Sequence, residues 1–468
     1  QEKAERINWV MSNMTNWVRS VQKDAKIITY LWDEGTTFFD EGYLKIPEGV
    51  VTVLADNGEG AVGGLKNLKE GDGLYYHVAM YNGNANQLTE MISPQIMYKN
   101  VAPFFQKKAT SIFILNLSDI RPYVMMTTAA MELVWDPSNR MNVDPVKAQA
   151  DYLLDWCSRY YDAKAAPQIA NLWSAYFSIP YVLRGTGDNH FSTYIKTLGG
   201  KFTDAIKSGN ISLSLVGEAK DYRVRESFSA LVEVYKTALA ILPTLQKNTQ
   251  FYQTHVMTQI SIHYFSVNAL NALCDSVEQA YAKNTSESVN SISKALSYMD
   301  SLFEQERKAE TPRFKGLYLH DRLVDFQRAR SILRQNQFAL LKRPIPPARP
   351  SSYYQFYDYQ QAFEDNFPYI YASPEWKLNE YIRSSCKNDT LCRSVPGGFY
   401  FKKPTSIELS MIKSGNIRYT LDGTDPTITS PLYTSSFPVS KDTTVKARGF
   451  FNKIPSDIVS TSFFRPEA

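Results

Sequence analysis

Polar residues with chemical potential gather at four places in the first 120 residues, each at the end of a short apolar run. Asp33 and Glu34 follow TYLW; Asp56, Asn57 and Glu59 follow VTVLA; His77 and Asn82 lie in and after GLYYHV; Asn116 and Asp119 lie in and after IFILN, with Arg121 two residues on. Carboxylates in such company suit general acid–base work, in which one acid protonates a leaving oxygen and a second carboxylate acts as base or nucleophile. Glu34 is the first choice for acid or base; its alternative role is to sit favourably at the N-terminus of a short helix starting near Thr36. The Asn57 amide suits a hydroxyl or a water, or else an Asx turn in the ADNGEG loop. Asp56 and Glu59 share that loop as second-carboxylate candidates or as turn residues. His77 alternates with Tyr76 and Val78 and so points away from them. Asn82, Asn84 and Asn86 are neutral, which leaves Arg121 to clamp an acidic group or to pair at the surface with Asp119.

The elements that must carry these residues read clearly from periodicity. Ile7, Val10, Met11, Met14, Trp17, Val18 and Val21 recur at helical spacing. Residues 26–32, 51–56, 73–81 and 110–117 read as strands. A short helix follows the first, a glycine-rich loop the second, a helix of about 20 residues the third, and MMTTAAMELVW the fourth. Four strand–helix steps call for a parallel sheet covered by helices. Chemistry at the carboxyl ends of parallel strands is the habit of barrel enzymes. Four steps make half of an eight-stranded barrel, so the expectation for residues 1–140 is the C-terminal half of such a barrel. A complete four-strand open sheet is the alternative. Half a barrel has raw edges and an open apolar interior, which calls for a preceding segment or a second copy of the chain.

Residues 141–343 change to successive helical patterns and are expected to form a helical domain. Four prolines in PIPPARPSS end it. A Pro/Tyr-rich connector, 344–395, is expected to pack on that domain. From 396 to 468 short period-two runs separated by Gly, Pro and Asp turns predict a small Ig-like β-sandwich. The fold class is thus multidomain: α/β, then α, then β.

Composition excludes several functions. Lys and Arg number 51 against 47 Asp and Glu, a net charge of +4 that is too small to build a polyanion groove, so nucleic acid is not an expected partner. No apolar run reaches the roughly 18 residues of a membrane span. Five histidines without paired ligand spacing give no metal site, and neither GxSxG nor a phosphate-binding glycine loop is present, so no cofactor is expected. Among four cysteines, Cys157 and Cys274 fall in helical patterns as buried thiols, whereas Cys386 and Cys392 are spaced to close a short loop. Such a disulfide fits an exported protein, periplasmic or at the cell surface. The chain opens QEKAER without an initiator Met, which fits a removed export signal or a start partway through a longer protein.

The stretch from TYLWDEGTTFFDEGYLKIPEGVTVLADN through GLYYHVAMYNGN to IFILNLSDIRP resembles the second half of the catalytic barrel of glycoside hydrolase family 115. Those enzymes are alpha-glucuronidases that remove glucuronic acid or its 4-O-methyl ether from xylan side chains. The resemblance puts Glu34 at the family's glutamate, Asn57 at its asparagine and His77 in its Tyr-Tyr-His stretch. It departs at Ala79, where the family has aspartate, and at YNGNANQ, where the family has Gly-Gly-Pro-Arg. Around residues 417–447, the Tyr-Thr-x-Asp-Gly-x-x-Pro turn followed by Leu-Tyr and Thr-x-Lys-Ala resembles the small C-terminal β-domain of chitobiase-like and other secreted hydrolases. What the resemblance implies is a secreted glycoside hydrolase acting on an oligo- or polysaccharide, with Glu34 and Asn57 catalytic and His77 binding substrate; from their places at the strand ends, Asp56 is expected to join the catalytic pair and Glu59, Asn82, Asn116 and Arg121 to bind substrate. On this reading an isolated half barrel would be inactive. The neutral asparagine-rich loop and Ala79 support the alternative, a non-catalytic glycan-binding or scaffolding relative.

Overall fold

The computed structural model describes residues 1–79, 88–117, 120–141, 143–183, 188–311, 318, 324–343, 345, 394–395, 398–400, 405–407, 409, 416–451 and 454–464. The chain divides into two compact units, Gln1–His190 with Arg225–Tyr264, and Phe191–Val224 with Phe265–Ala468.

The first unit is built on a parallel four-stranded sheet of β1 (Ile27–Leu31), β2 (Val50–Ala55), β3 (Gly73–His77) and β4 (Phe113–Asn116), side by side in chain order. Helix α1 (Glu2–Val21) precedes β1, α2 (Glu34–Asp40) follows it, α3 (Pro94–Gln106) joins β3 to β4, and α4 (Val124–Trp135) follows β4. The helix after β3 has 13 residues rather than about 20. Its start is fixed by Ser93, whose hydroxyl accepts from the Ile96 amide, and by Pro94 in the first turn. Both β1 and β4 are edges of the sheet, and no barrel closure occurs among the described residues.

Register sorts the side chains into two faces. Tyr30 pairs with Val53, Val53 with Gly73, Ala55 with Tyr75, and His77 with Asn116. Neighbours paired in this way project to the same side of a pleated sheet. The opposite side carries Leu31, Leu54, Leu74 and Tyr76, all buried. Helices cover that side: the Met11 sulfur of α1 accepts from Thr29, and a Cβ on Gly64 would strike Leu54 at 2.9 Å and meet Phe39 of α2 at 3.5 Å. On the side bearing Tyr30, Ile28 and Tyr30 of the edge strand β1 are 37% and 49% exposed, whereas Val53, Ala55 and His77 further in are buried.

After the short α5 (Ser138–Met141), the first unit continues in α6 (Pro145–Tyr160), α7 (Ala165–Phe177) and α8 (Pro180–Leu183). It closes with α11 (Phe228–Ile241), α12 (Thr249–Tyr252), a π-helical turn Gln253–Met257 and the start of α13 (Thr258–Tyr281). Asp144 caps α6 by accepting from the Val146 and Lys147 amides. Trp156, Tyr152, Trp173 and Tyr176 are fully buried here, so much of the aromatic content serves as packing.

The second unit holds most of α9 (Asp188–Ser208), then α10 (Leu213–Tyr222), the rest of α13, α14 (Thr285–Ala309) and α15 (Phe326–Leu340). Buried Asn336 of α15 donates to the Gly199 carbonyl and the Thr203 hydroxyl of α9. Its last part is a five-stranded sheet, largely antiparallel, and a two-stranded antiparallel sheet. Ile407, Leu409, Ile417, Val439, Val445, Ala447 and Phe463, drawn from both sheets, make one apolar core. Cys157 and Cys274 are buried, and burial pushes both thiols up to about 12. Cys386, Cys392 and nearly all of the 344–395 connector lie outside the described residues.

Candidate functional site at the carboxyl ends of the parallel strands

The end of β2 organises the site. Asp56 is fully buried, and its Oδ2 accepts from the Gly58 and Gly60 amides at 2.9 and 3.2 Å. Its Oδ1 accepts from the His77 amide at 2.8 Å and lies 2.6 Å from His77 Nδ1. A carboxylate can only accept, so the imidazole proton sits on Nδ1 and Nε2 is turned away from the acid. Glycine is required at position 60, where φ is +86° and a Cβ would lie 2.7 Å from Ile96 and 2.9 Å from the Tyr76 hydroxyl.

His77 is 1% exposed and is walled by aromatic rings. The Trp32 indole stacks on it at 5.6 Å and 29°, and Tyr75 packs at 4.4 Å. Tyr30 meets Tyr75 edge-on at 6.1 Å, and Asn116 Nδ2 donates to the Tyr75 hydroxyl at 2.6 Å. Tyr76 turns to the other side, as alternation predicts, where burial and then the Asp56 charge push its phenol up. The cluster therefore draws on the ends of all four strands. Asp56, His77 and Asn116 are brought into it.

The other expected residues are placed differently. Glu34 is the first residue of α2, exposed, and paired with Lys3 of α1. Asp33 before it has φ +49° and ψ −114°, an uncommon backbone for a non-glycine residue. Asn57 is exposed, and its Oδ1 accepts from the Glu59 and Ala61 amides, so the Asx-turn geometry is realised while Nδ2 stays outside that turn. Glu59 is exposed; its charge partly offsets the burial that lowers His190. Arg121 points at the π-helical turn, donating to the Thr254 hydroxyl at 3.4 Å. Burial and then the Arg121 charge push His255 in that turn down to about 4. Asn82 and Asp119 lie outside the described residues.

Three members escaped the sequence reading: Tyr30, Trp32 and Tyr75. Period-two spacing within IITYLW and GLYYH was the signal that set them on one side with His77. Glu90 was also missed, and no sequence pattern announces it. It is 1% exposed; one carboxylate oxygen accepts from the Met125 and Met126 amides while the other is buried without a partner. Burial pushes Glu90 up to about 8. Among the described residues no group of three or more His, Cys, Asp or Glu is arranged to hold a metal. No helix among them is long and apolar enough to cross a membrane.

Residues 1–185 match the family model for glycosyl hydrolase family 115, and residues 407–463 match the Fn3-associated model. The N-terminal region is thus distantly related to family 115 glycosidases, and the C-terminal module is Fn3-associated without being tied to chitobiase-type enzymes. No curated protein sequence matches the chain. One similar solved structure is a family GH115 4-O-methyl-alpha-glucuronidase with specificity for decorated arabinogalactans. It is 12% identical, with a TM-score of 0.43 over 93% of this chain and 56% of that one. Another is a GH138 enzyme targeting pectin rhamnogalacturonan II, 10% identical, with a TM-score of 0.36 over 63% of this chain and 52% of that one. The chain spans little more than half the length of these structures.

Proposed function

We propose that this chain is the site-bearing part of an exported glycoside hydrolase that cleaves a side-chain sugar, of the uronic-acid type, from a plant-type polysaccharide. The observation that carries the reading is the gathering of Trp32, Asp56, His77, Tyr75 and Asn116 at the carboxyl ends of four adjacent parallel strands, inside the segment that matches family 115. Glu34 is the acid or base: it is exposed, and its ion-pair partner among the described residues is the exposed side chain of Lys3. Asp56, with both oxygens committed to His77 and the loop amides, acts by positioning. Asn57 Nδ2 and Asn116 bind sugar hydroxyls, with Glu59 at the rim, and buried His77 backs the site from behind the Trp32 indole. Arg121, which donates to Thr254 of the π-helical turn, meets the sugar carboxylate from that wall. The exposed β1 edge of the sheet takes a further β/α half, from a preceding segment or a second copy.

The test is release of sugar from glucuronoxylan and decorated arabinogalactan oligosaccharides by the natural protein and its Glu34→Gln variant. Release that Glu34→Gln abolishes supports the reading. Binding without release by the natural protein favours the second reading, a glycan-binding relative, for which the neutral residue Ala79 beside the site is the motive.

A further inference from the structure

We propose that Trp32 is the sugar-stacking platform of this site, with His77 as its back-stop and Asp56 as the residue that fixes the back-stop. The inference rests on the reading above and names the ligand surface within it. Trp32 is 46% exposed, yet one face of its indole is already covered by the His77 ring at 5.6 Å and 29°. The exposed part of the indole is what remains for a ligand. The face of a pyranose ring presents a patch of C–H groups rimmed by hydroxyls, which is the complement of an indole plane set among hydrogen-bonding side chains.

Rigidity distinguishes this tryptophan from the other exposed ones. His77 cannot withdraw, because its amide and its Nδ1 both bind Asp56, and Asp56 is held by Gly58 and Gly60. Tyr75 closes the side of the ring at 4.4 Å and is itself held by Asn116. A platform set in place before binding loses little conformational freedom when the ligand arrives. Position matters as well. Ile28 and Tyr30 lie within β1, on the face that a covering layer would bury, whereas Trp32 lies one residue beyond the end of that strand. Covering the sheet would therefore leave Trp32 at the rim. Glu34 stands two residues further on, after the unusual backbone turn at Asp33, so a sugar on the indole would lie beside the proposed acid or base.

The test is affinity electrophoresis of the full chain through gels holding glucuronoxylan or arabinogalactan, with Trp32→Ala, Trp32→Tyr and, as a control, Trp17→Ala. Thermal melts check that each variant folds. Expected is retardation of the natural protein, about 10-fold weaker binding for Trp32→Ala, partial recovery in Trp32→Tyr, and no change in Trp17→Ala. Asp56→Asn should weaken binding as Trp32→Ala does while leaving Trp32 in place. Unchanged retardation of Trp32→Ala, with hydrolysis still lost in Glu34→Gln, would overturn the platform and leave the hydrolase reading standing. Absence of both binding and hydrolysis in the natural protein would overturn the two together.

Discussion

A carboxylate can exchange protons with a substrate only while its oxygens are free, and here the acids after β1 and β2 part company. Asp56 accepts from three backbone amides and contacts His77 Nδ1, all without access to water. Glu34 is exposed. Replacing Glu34 by Gln should therefore lower turnover by about 10²- to 10⁴-fold with little change in melting temperature. Replacing Asp56 by Ala should cost about 3–5 kcal/mol of stability in urea unfolding, because it strands His77 and the loop amides in a dry site. The sequence made both acids visible by type and place. It could not divide their roles, since burial of Asp56 follows from the turn of Gly58 and Gly60 around it and from a partner 21 residues away. On Asn57 the Asx-turn reading is realised through Oδ1, and the proposed sugar contact is left to Nδ2.

At the scale of elements, strands and helices were legible because each buries one side, and alternation records that side. What alternation does not record is a polar group buried between elements. Glu90 joins the segment after β3 to the start of α4 through Met125 and Met126, and its own amide donates to Gln259 of α13. Tyr152 of α6 lies close enough to feel its charge and donates to the Met125 carbonyl. His263 of α13 touches the neighbouring Thr89 and Tyr176, and burial pushes it down to about 3. The two groups have opposite consequences. The Glu90 contribution is fully present below about 4.5 and is lost as pH rises toward about 8. The His263 contribution is present above about 6.5 and is lost as pH falls toward about 3. Urea midpoints measured from pH 5 to 9 should show Glu90→Gln gaining on the natural protein up to about pH 8 and holding its lead beyond. A constant difference across that range would contradict the assignment. Gly60→Ala, which must enter a positive φ against Ile96 and Tyr76, should destabilise by about 2 kcal/mol or more in the same assay.

At the scale of the molecule, the first unit leaves apolar surface bare on the helices that flank both ends of its sheet. On α1, Trp9 and Trp17 are 69% and 71% exposed, with Met14 and Val21 on the same stripe; on α4, Met131 and Trp135 are exposed one turn apart. The sheet between them has two free edges among the described residues, with Ile28 and Tyr30 exposed on the edge strand β1. Exposed apolar stripes of this kind are expected where a partner surface packs. Periodicity assigned these residues to helix faces correctly but says nothing of what covers a face, which is why the half-barrel and open-sheet readings could not be separated by sequence. Trp17→Lys should reduce both dye binding to exposed apolar surface and self-association in sedimentation, without lowering the melting temperature. If neither falls, that stripe is not an interaction surface.

The most direct test of the central claim, a glycosidase site at the carboxyl ends of β1 to β4, is product analysis on glucuronoxylan and decorated arabinogalactan oligosaccharides with the natural protein and Glu34→Gln side by side. The account predicts release of a single side-chain sugar by the natural protein and none by a folded Glu34→Gln. Equal release by both would contradict it.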